Sequence, residues 1–496
     1  MRSTTPSHCG WTALLARFCL GLTGLLALAA ASSNSGCGGG SNGFTKPSGG
    51  TNGPDIFWVE TTGSDFNPQG TAGAPWLTIN RALMVAGPGD VIMVGAGTFP
   101  ERNVVQPFVE IRGSGVGVTF IDGVGDGPVF TFQPGAQLGN SGLKDLTIIN
   151  GKGDDTRGII YIKRGSPTIN NVTVTGGDAY GSTTASVVQI EGWGSPLINN
   201  LTINTCNGTA GQVVAVRGNG IVTPTITNLT TTAGGVDGGL VLSEGALFTI
   251  SGSLIRPASL PAAVLSDAAH LNASSSTFSS TGDDALFLKD STGADLSICT
   301  VGPAGGHGLH LTNAAQASLT RTRITQATGD GIFMDTSAAV SAVNSIVDHN
   351  TLSGVFLTDG TGGPGSSFIH CTISDNTVKG LQTGTTGTGK LYVFNSLITY
   401  NGTLATDQVS GTQWDINHTG LTDATGTGGT NVTMANPQYA NKAAGDYSIL
   451  KATSPAVDIG DPNIGSPPGS AVPTVDFAGA ARDGSNNPDA GAHEGL

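Results

Sequence analysis

The sequence predicts an all-β protein built as a right-handed parallel β-helix, a solenoid of stacked coils. Three observations carry that prediction. A short apolar strand recurs every 23 residues through the middle of the chain. A unit of that length has room for two or three strands and their turns, but not for a helix of three turns. The composition is rich in turn-forming residues, with 77 glycines in 496 residues, and only 11% of residues are charged.

The repeat is read directly from the chain. Strands start at Gly239 (GLVL), Ala262 (AAVL), Ala285 (ALFL), Gly308 (GLHL), Gly331 (GIFM) and Gly354 (GVFL), each 23 residues after the last, and Gly380 (GLQT) follows at 26. Looser copies begin near Gly158, Val187 and Val213. Such a unit cannot bury a face alone. Copies stacked at about 4.8 Å per rung bury a continuous apolar interior, which puts Leu265, Leu288, Leu311 and Leu357 inside and in line. Small residues should stack likewise, and Ser253, Ser276, Cys299 and Thr322 share one repeat position, with Asn344, Cys371 and Asn395 expected to continue it. Aromatics are scarce at 6%, so Val, Ile, Leu and Ala must fill the interior.

The chain divides by composition. Residues 1–36 read as an export signal: Arg2 and Arg17 flank a 14-residue apolar run, Phe18 to Ala31, too short to cross a bilayer comfortably. Ser35-Gly36-Cys37 resembles the lipid-attachment junction of bacterial lipoproteins, with Asn34 where that junction usually has an aliphatic residue. Lipidation is therefore expected at Cys37, and the membrane is met through that anchor alone. The protein is expected to be exported to the cell envelope or cell surface as a lipoprotein, or otherwise secreted. Residues 37–54 read as a flexible Gly/Ser/Asn linker. Residues 55–140 read as an N-terminal cap with the first rungs, with a short helix over Trp76 to Ala86 that places Ile79, Leu83 and Ala86 on one face. Residues 141–425 are the repeats, and 430–496 a C-terminal segment closing them. The net charge of −14 and the lack of a basic cluster exclude a nucleic-acid partner. A monomer is expected. Cys206, Cys299 and Cys371 read as small buried side chains rather than a disulfide framework.

Two segments carry a resemblance. Gly63-Ser-Asp65, Pro75-Trp76, Pro88-Gly-Asp90, Gly97-Thr-Phe99 and Ile121-Asp-Gly123 resemble the start of bacterial extracellular right-handed β-helix proteins of the pectate-lyase-like superfamily. Asn436-Pro437, Gly445-Asp-Tyr447, Ser454-Pro-Ala-Val-Asp458, Arg482 and Asp489-x-Gly491-Ala492-x-Glu494 resemble the choice-of-anchor Q domain that accompanies surface-anchored β-helices. No sorting signal of that class precedes Leu496, which leaves Cys37 as the expected anchor. The resemblance implies the fold and a surface location. It leaves the activity open, because the superfamily holds lyases, hydrolases, epimerases and inert adhesins.

The chemistry-bearing residues sit between rungs. Gly282-Asp283-Asp284, Gly306-His307-Gly308 and Gly329-Asp330-Gly331 precede consecutive strands, so Asp284, His307 and Asp330 share one repeat position. Stacked within about 5 Å of one another, carboxylates beside a histidine can do general acid/base work on a sugar. Asp283, Asp284, His307 and Asp330 are the catalytic candidates. The same residues also suit plain turns. Asp283-Asp284 and His307 resemble the Gly-Asp-Asp and Gly-His-Gly motifs of polygalacturonase-type glycoside hydrolases. Ser259-Leu260-Pro261 stands where that family has Asn-Thr-Asp, and no Arg-Ile-Lys follows. A second column after the strands comprises Glu244, Asp267, Asp290, Asn313, Thr336 and Asp359. Calcium bound by Asp267 and Asp290 is one reading of it, and a solvated turn edge the other. Trp193, Tyr161 and Tyr180 are candidate sugar platforms. These features point to a surface β-helix that binds or processes extracellular polysaccharide. The alternatives are a non-catalytic adhesive stalk, or a polygalacturonase-like hydrolase or calcium-dependent lyase.

Overall fold

The structure is a computed structural model. It describes residues 54–496 except 107, 133–140, 154–155, 180–183, 207, 209–211, 336, 359–364, 385–389, 413, 423–430, 463–471, 483–486 and 496. The expected export signal, Cys37 and the linker up to residue 53 lie outside the described residues, as do Tyr180, Thr336 and Asp359.

The coil is a parallel β-solenoid. One turn of it runs through the strands Leu286–Leu288, Gly293–Ser297 and Thr300–Ala304. Each pairs in parallel with its counterpart on the next turn: Leu309–Leu311, Gln316–Thr320 and Arg323–Thr325. The first strands of successive turns stack into a thirteen-stranded sheet from Asn103–Val105 to Val409–Ser410, here called the front sheet. The other strands stack into the remaining walls. Because side chains alternate across a strand, the outer two residues of Leu286–Leu288 point inward and the middle one outward.

That alternation builds the core. Leu265, Leu288, Leu311, Met334 and Leu357 fall in register one above another, all fully buried except Leu357 at 6% exposure. Burying each such side chain contributes roughly 1.5–3 kcal/mol. A polar ladder runs beside it. Ser253 N donates to Ser276 Oγ, Thr322 N to Ser345 Oγ and Cys371 N to Ser396 Oγ, at 3.0–3.2 Å. The column therefore passes through Ser345 and Ser396. Asn344 and Asn395 stand one residue earlier, at φ of 48° in the left-handed region, where asparagine is tolerated. Cys206, Cys299 and Cys371 are free and buried, and burial pushes the Cys371 thiol up to about 12.

A further buried ladder was not foreseen. Asn350 Nδ2 donates to Asn376 Oδ1 at 2.8 Å, Asn376 Nδ2 to Asn401 Oδ1 at 2.9 Å, and Asn401 Nδ2 to Gln408 Oε1 at 3.0 Å. It ties the last turns together at spacings of 26 and 25 residues, where the 23-residue period has ended.

The N-terminal helix is shorter than its sequence suggests, spanning Ile79–Leu83. Thr78 is its N-cap and accepts from Arg81 N, so Trp76 and Leu77 stand outside the helix. Ile79, Ala82 and Leu83 are buried beneath it. Among the described residues no helix is long and apolar enough to cross a membrane.

The C-terminal segment folds back along the coil from Arg321 to Thr399. Arg482 is buried and donates to Glu494 Oε2 at 2.9 Å, Asn344 Oδ1 at 2.9 Å and Gly491 O at 2.8 Å. Asn395 exchanges hydrogen bonds with the backbone of Asp461 at 2.8 and 3.0 Å. Tyr447 sets its hydroxyl between Asp348 and Asp375, at 3.1 and 3.0 Å. The acids Asp476 and Asp489 hold turns: Asp476 accepts from Ala480 N and Glu494 N, Asp489 from Asp458 N and Gly495 N.

Candidate functional site on the front sheet

The outward middle residues of the front sheet form a column. Val264, Phe287, His310, Phe333, Phe356 and Gln382 lie in register on six successive turns, all half-buried. Ring centroids of Phe287 and His310 are 4.7 Å apart, of His310 and Phe333 5.0 Å, and of Phe333 and Phe356 5.5 Å. Phe287 and His310 are tilted by 35°, and the next two pairs meet edge-on at 86° and 82°, so the half-buried stripe presents separate aromatic surfaces rather than one flat plane.

The turn residues beside this stripe form a chain of their own. Asp284 Oδ1 accepts from His307 N at 2.6 Å, His307 Nδ1 from Asp330 N at 3.0 Å, and Asp330 Oδ1 from Ser353 N at 2.8 Å. Each side chain thus satisfies the backbone of the next turn. Asp284, His307 and Asp330 do stack as one column. Asp283 does less: its Oδ1 accepts from Asp284 N at 2.8 Å, a local turn bond.

The side chain that completes the cluster is His310, which was not singled out from the sequence. Its Nδ1 lies 2.7 Å from Asp284 Oδ2. The sign was in the repeat itself, since the third letter of GLHL is the one outward position of the strand. With Nδ1–H given to the carboxylate, Nε2 keeps its lone pair. The His307 ring stacks on Phe333 at 4.6 Å and meets His310 edge-on at 5.1 Å.

Burial decides the charge of the neighbours. Desolvation lowers His307 below the ordinary histidine value, although Asp284 and Asp330 oppose it, so the ring is neutral at neutral pH. Desolvation raises Asp330, against the hydrogen bond from Ser353 and the pull of His307. The 3.5 Å from His307 Nδ1 to Asp330 Oδ2 is a contact rather than a hydrogen bond, because Nδ1 already accepts from Asp330 N.

Among the described residues, Asp284, His307 and His310 form the group of three close enough to share a metal ion. Two imidazoles and a carboxylate suit a first-row transition ion better than calcium. The backbone bond to His307 Nδ1 works against it: the neutral ring then carries its hydrogen on Nε2 and has no lone pair left to give. That bond disfavours ligation through His307 Nδ1. Asp267 and Asp290 are exposed, at φ of 53° and 60°, and serve as left-handed turn residues. Asn313 Nδ2 donates to Asp290 Oδ1 at 3.2 Å. Trp193 is 37% exposed at the end of a long strand, away from the histidines. Tyr161 is buried on the front sheet, with its hydroxyl on Glu191.

A family model described as a right handed beta helix region matches residues 262–436. The chain is a right-handed parallel β-helix. Solved structures of similar fold include the A-module of a mannuronan C-5 epimerase from Azotobacter vinelandii, at 12% identity and a TM-score of 0.37, covering 72% of this chain and 94% of that one. A mannuronic acid specific polysaccharide family 6 lyase from human gut microbiota is 10% identical with a TM-score of 0.44, covering 66% and 86%. A pectate lyase is 13% identical with a TM-score of 0.32, covering 90% and 98%. No curated protein matches the chain.

Proposed function

We propose that this protein binds polysaccharide along the outer face of the front sheet. The observation that carries the reading is the in-register stripe Phe287, His310, Phe333 and Phe356, with successive ring centroids 4.7–5.5 Å apart. Export and lipid attachment at Cys37 would hold this surface outside the cell. The likeness of Asn436 to Glu494 to a surface-anchored domain supports the same placement. The test is binding of a glycan panel by wild type and by Phe333→Ala with Phe356→Ala. Stacking of one sugar on one ring is worth about 1 kcal/mol, so the double variant should bind roughly tenfold or more weakly. Equal binding by both proteins would remove the stripe from the site.

The Asp284–His310 hydrogen bond favours a second reading, general-base chemistry on the bound glycan. In it His310 Nε2 takes the proton of a water that attacks the anomeric carbon, Asp330 gives a proton to the departing glycosidic oxygen, Asp284 orients the His310 ring, and Asp283 and His307 flank them. Release of reducing ends by wild type that falls in His310→Gln far more than glycan affinity does supports this reading. Release unchanged in His310→Gln removes it.

A further inference from the structure

We infer that the glycan taken by this stripe carries no acidic groups; the inference rests on the polysaccharide-binding reading and names its ligand class. The ground is the charge around the stripe. Asp283, Asp284 and Asp330 precede its central strands, and Asp335 directly follows Ile332–Met334, the strand that carries Phe333. Lys289 directly follows Leu286–Leu288, the strand that carries Phe287, at the same repeat position as Asp335 two turns earlier. The five groups therefore leave three more acids than bases. The other basic side chains of the front sheet do not correct this: Lys163 lies further back on the sheet, 3.9 Å from Glu191. Arg217 lies three turns before Phe287 in the outward column. Lys379 Nζ is held by Asp407.

A polyuronate brings a carboxylate on every sugar. Laid along the stripe, it would set that row of charges beside Asp283, Asp284, Asp330 and Asp335, with no arginine fork to receive them. Half-buried carboxylates are screened by salt less than exposed ones, so the repulsion would persist at ordinary ionic strength. An uncharged or amino-bearing sugar meets no such opposition. Its hydroxyls can donate to Asp283 and Asp335, while its apolar ring face covers Phe287, Phe333 and Phe356.

The experiment is calorimetric titration of the full chain with xylan and chitosan oligosaccharides, beside oligogalacturonate and oligomannuronate of equal length. The uncharged or amino-bearing oligomers should bind, and the uronates at least about tenfold more weakly, since one unrelieved like-charge contact is enough for that ratio. Asp335→Lys should narrow the gap by tightening uronate binding. Uronates binding as well as or better than the others would overturn the inference and leave the binding reading intact. Binding of uncharged oligomers that survives Phe333→Ala with Phe356→Ala would place the ligand elsewhere and overturn both. Failure of every oligomer to bind would overturn the binding reading itself.

Discussion

Asp284 and His310 face each other across adjacent turns of the coil, with Oδ2 2.7 Å from Nδ1. The same carboxylate also receives the backbone N–H of His307 at 2.6 Å. One side chain thus orients a ring on the surface and fastens the turn that carries it.

Replacing Asp284 with Ala should cost stability as well as function. The His307 N–H would lose its acceptor in a half-buried turn, a loss of about 1–3 kcal/mol. Asp284→Asn keeps an acceptor oxygen and should fold close to wild type. Denaturant unfolding of the two variants separates these outcomes.

Leu288→Ala should destabilise the coil by about 2–5 kcal/mol, because the cavity opens between Leu265 and Leu311 in a fully buried column. A Lys at the outward neighbour Phe287 should change stability far less. Similar unfolding midpoints for Leu288→Ala and Phe287→Lys would show that the inward and outward faces are misassigned.

Arg482→Ala should loosen the C-terminal segment. It removes the guanidinium partner of Glu494, whose side chain is 9% exposed, and empties the site on Asn344. Breaking one side of such a buried pair costs about 3–5 kcal/mol. Arg482→Met combined with Glu494→Leu should lose much less. Limited proteolysis between residues 436 and 495 reads the difference.

Stability should decline slightly as the pH rises past neutrality, and His349 is the cause. Its hydrogen bond to Asp348 raises the ring above the ordinary 6.5, against some desolvation. The stabilisation is complete below 6.5 and is lost as pH climbs through the raised value. The ring is 38% exposed, so solvent screening keeps the effect below about 1 kcal/mol. Asp348 behaves oppositely. Burial alone would raise it, but His349 and Arg323 hold it below the usual carboxylate range, so its contribution fails only in acid. Thermal melts from pH 6 to 9 should slope downward for wild type and flatten for His349→Ala.

Cys37→Ser should move the protein from the membrane fraction to the soluble fraction of its native cell. Identical fractionation of the two proteins would show that no lipid is attached there.

The coil was legible because its information is periodic. Leu265, Leu288 and Leu311 announce themselves at equal spacing, and alternation along a strand fixes which residues turn inward. The stack of Asp284, His307 and Asp330 followed from the same arithmetic. His310 was harder to see, because its neighbours at that position are Phe287 and Phe333, and one polar letter in an apolar series carries no mark of its partner. Only the fold shows Asp284 reaching across to it. The Asn350–Asn376–Asn401 ladder was hidden for another reason: the turns there are 25 and 26 residues long, so no single period aligns its members. The contacts of Arg482 span 138 residues to Asn344, beyond any local pattern.

The constant spacing between Gly239 and Gly354 also governs how this chain can change length. Loss or gain of one whole 23-residue unit returns every residue to an equivalent place, with leucine over leucine and turn over turn. Loss of a single residue would send one strand's apolar side chains to the outer face. Gene copies differing by whole units should therefore fold alike yet offer longer or shorter aromatic stripes. The length of the outward aromatic row is then set by unit copying, without any change in the residues that compose it.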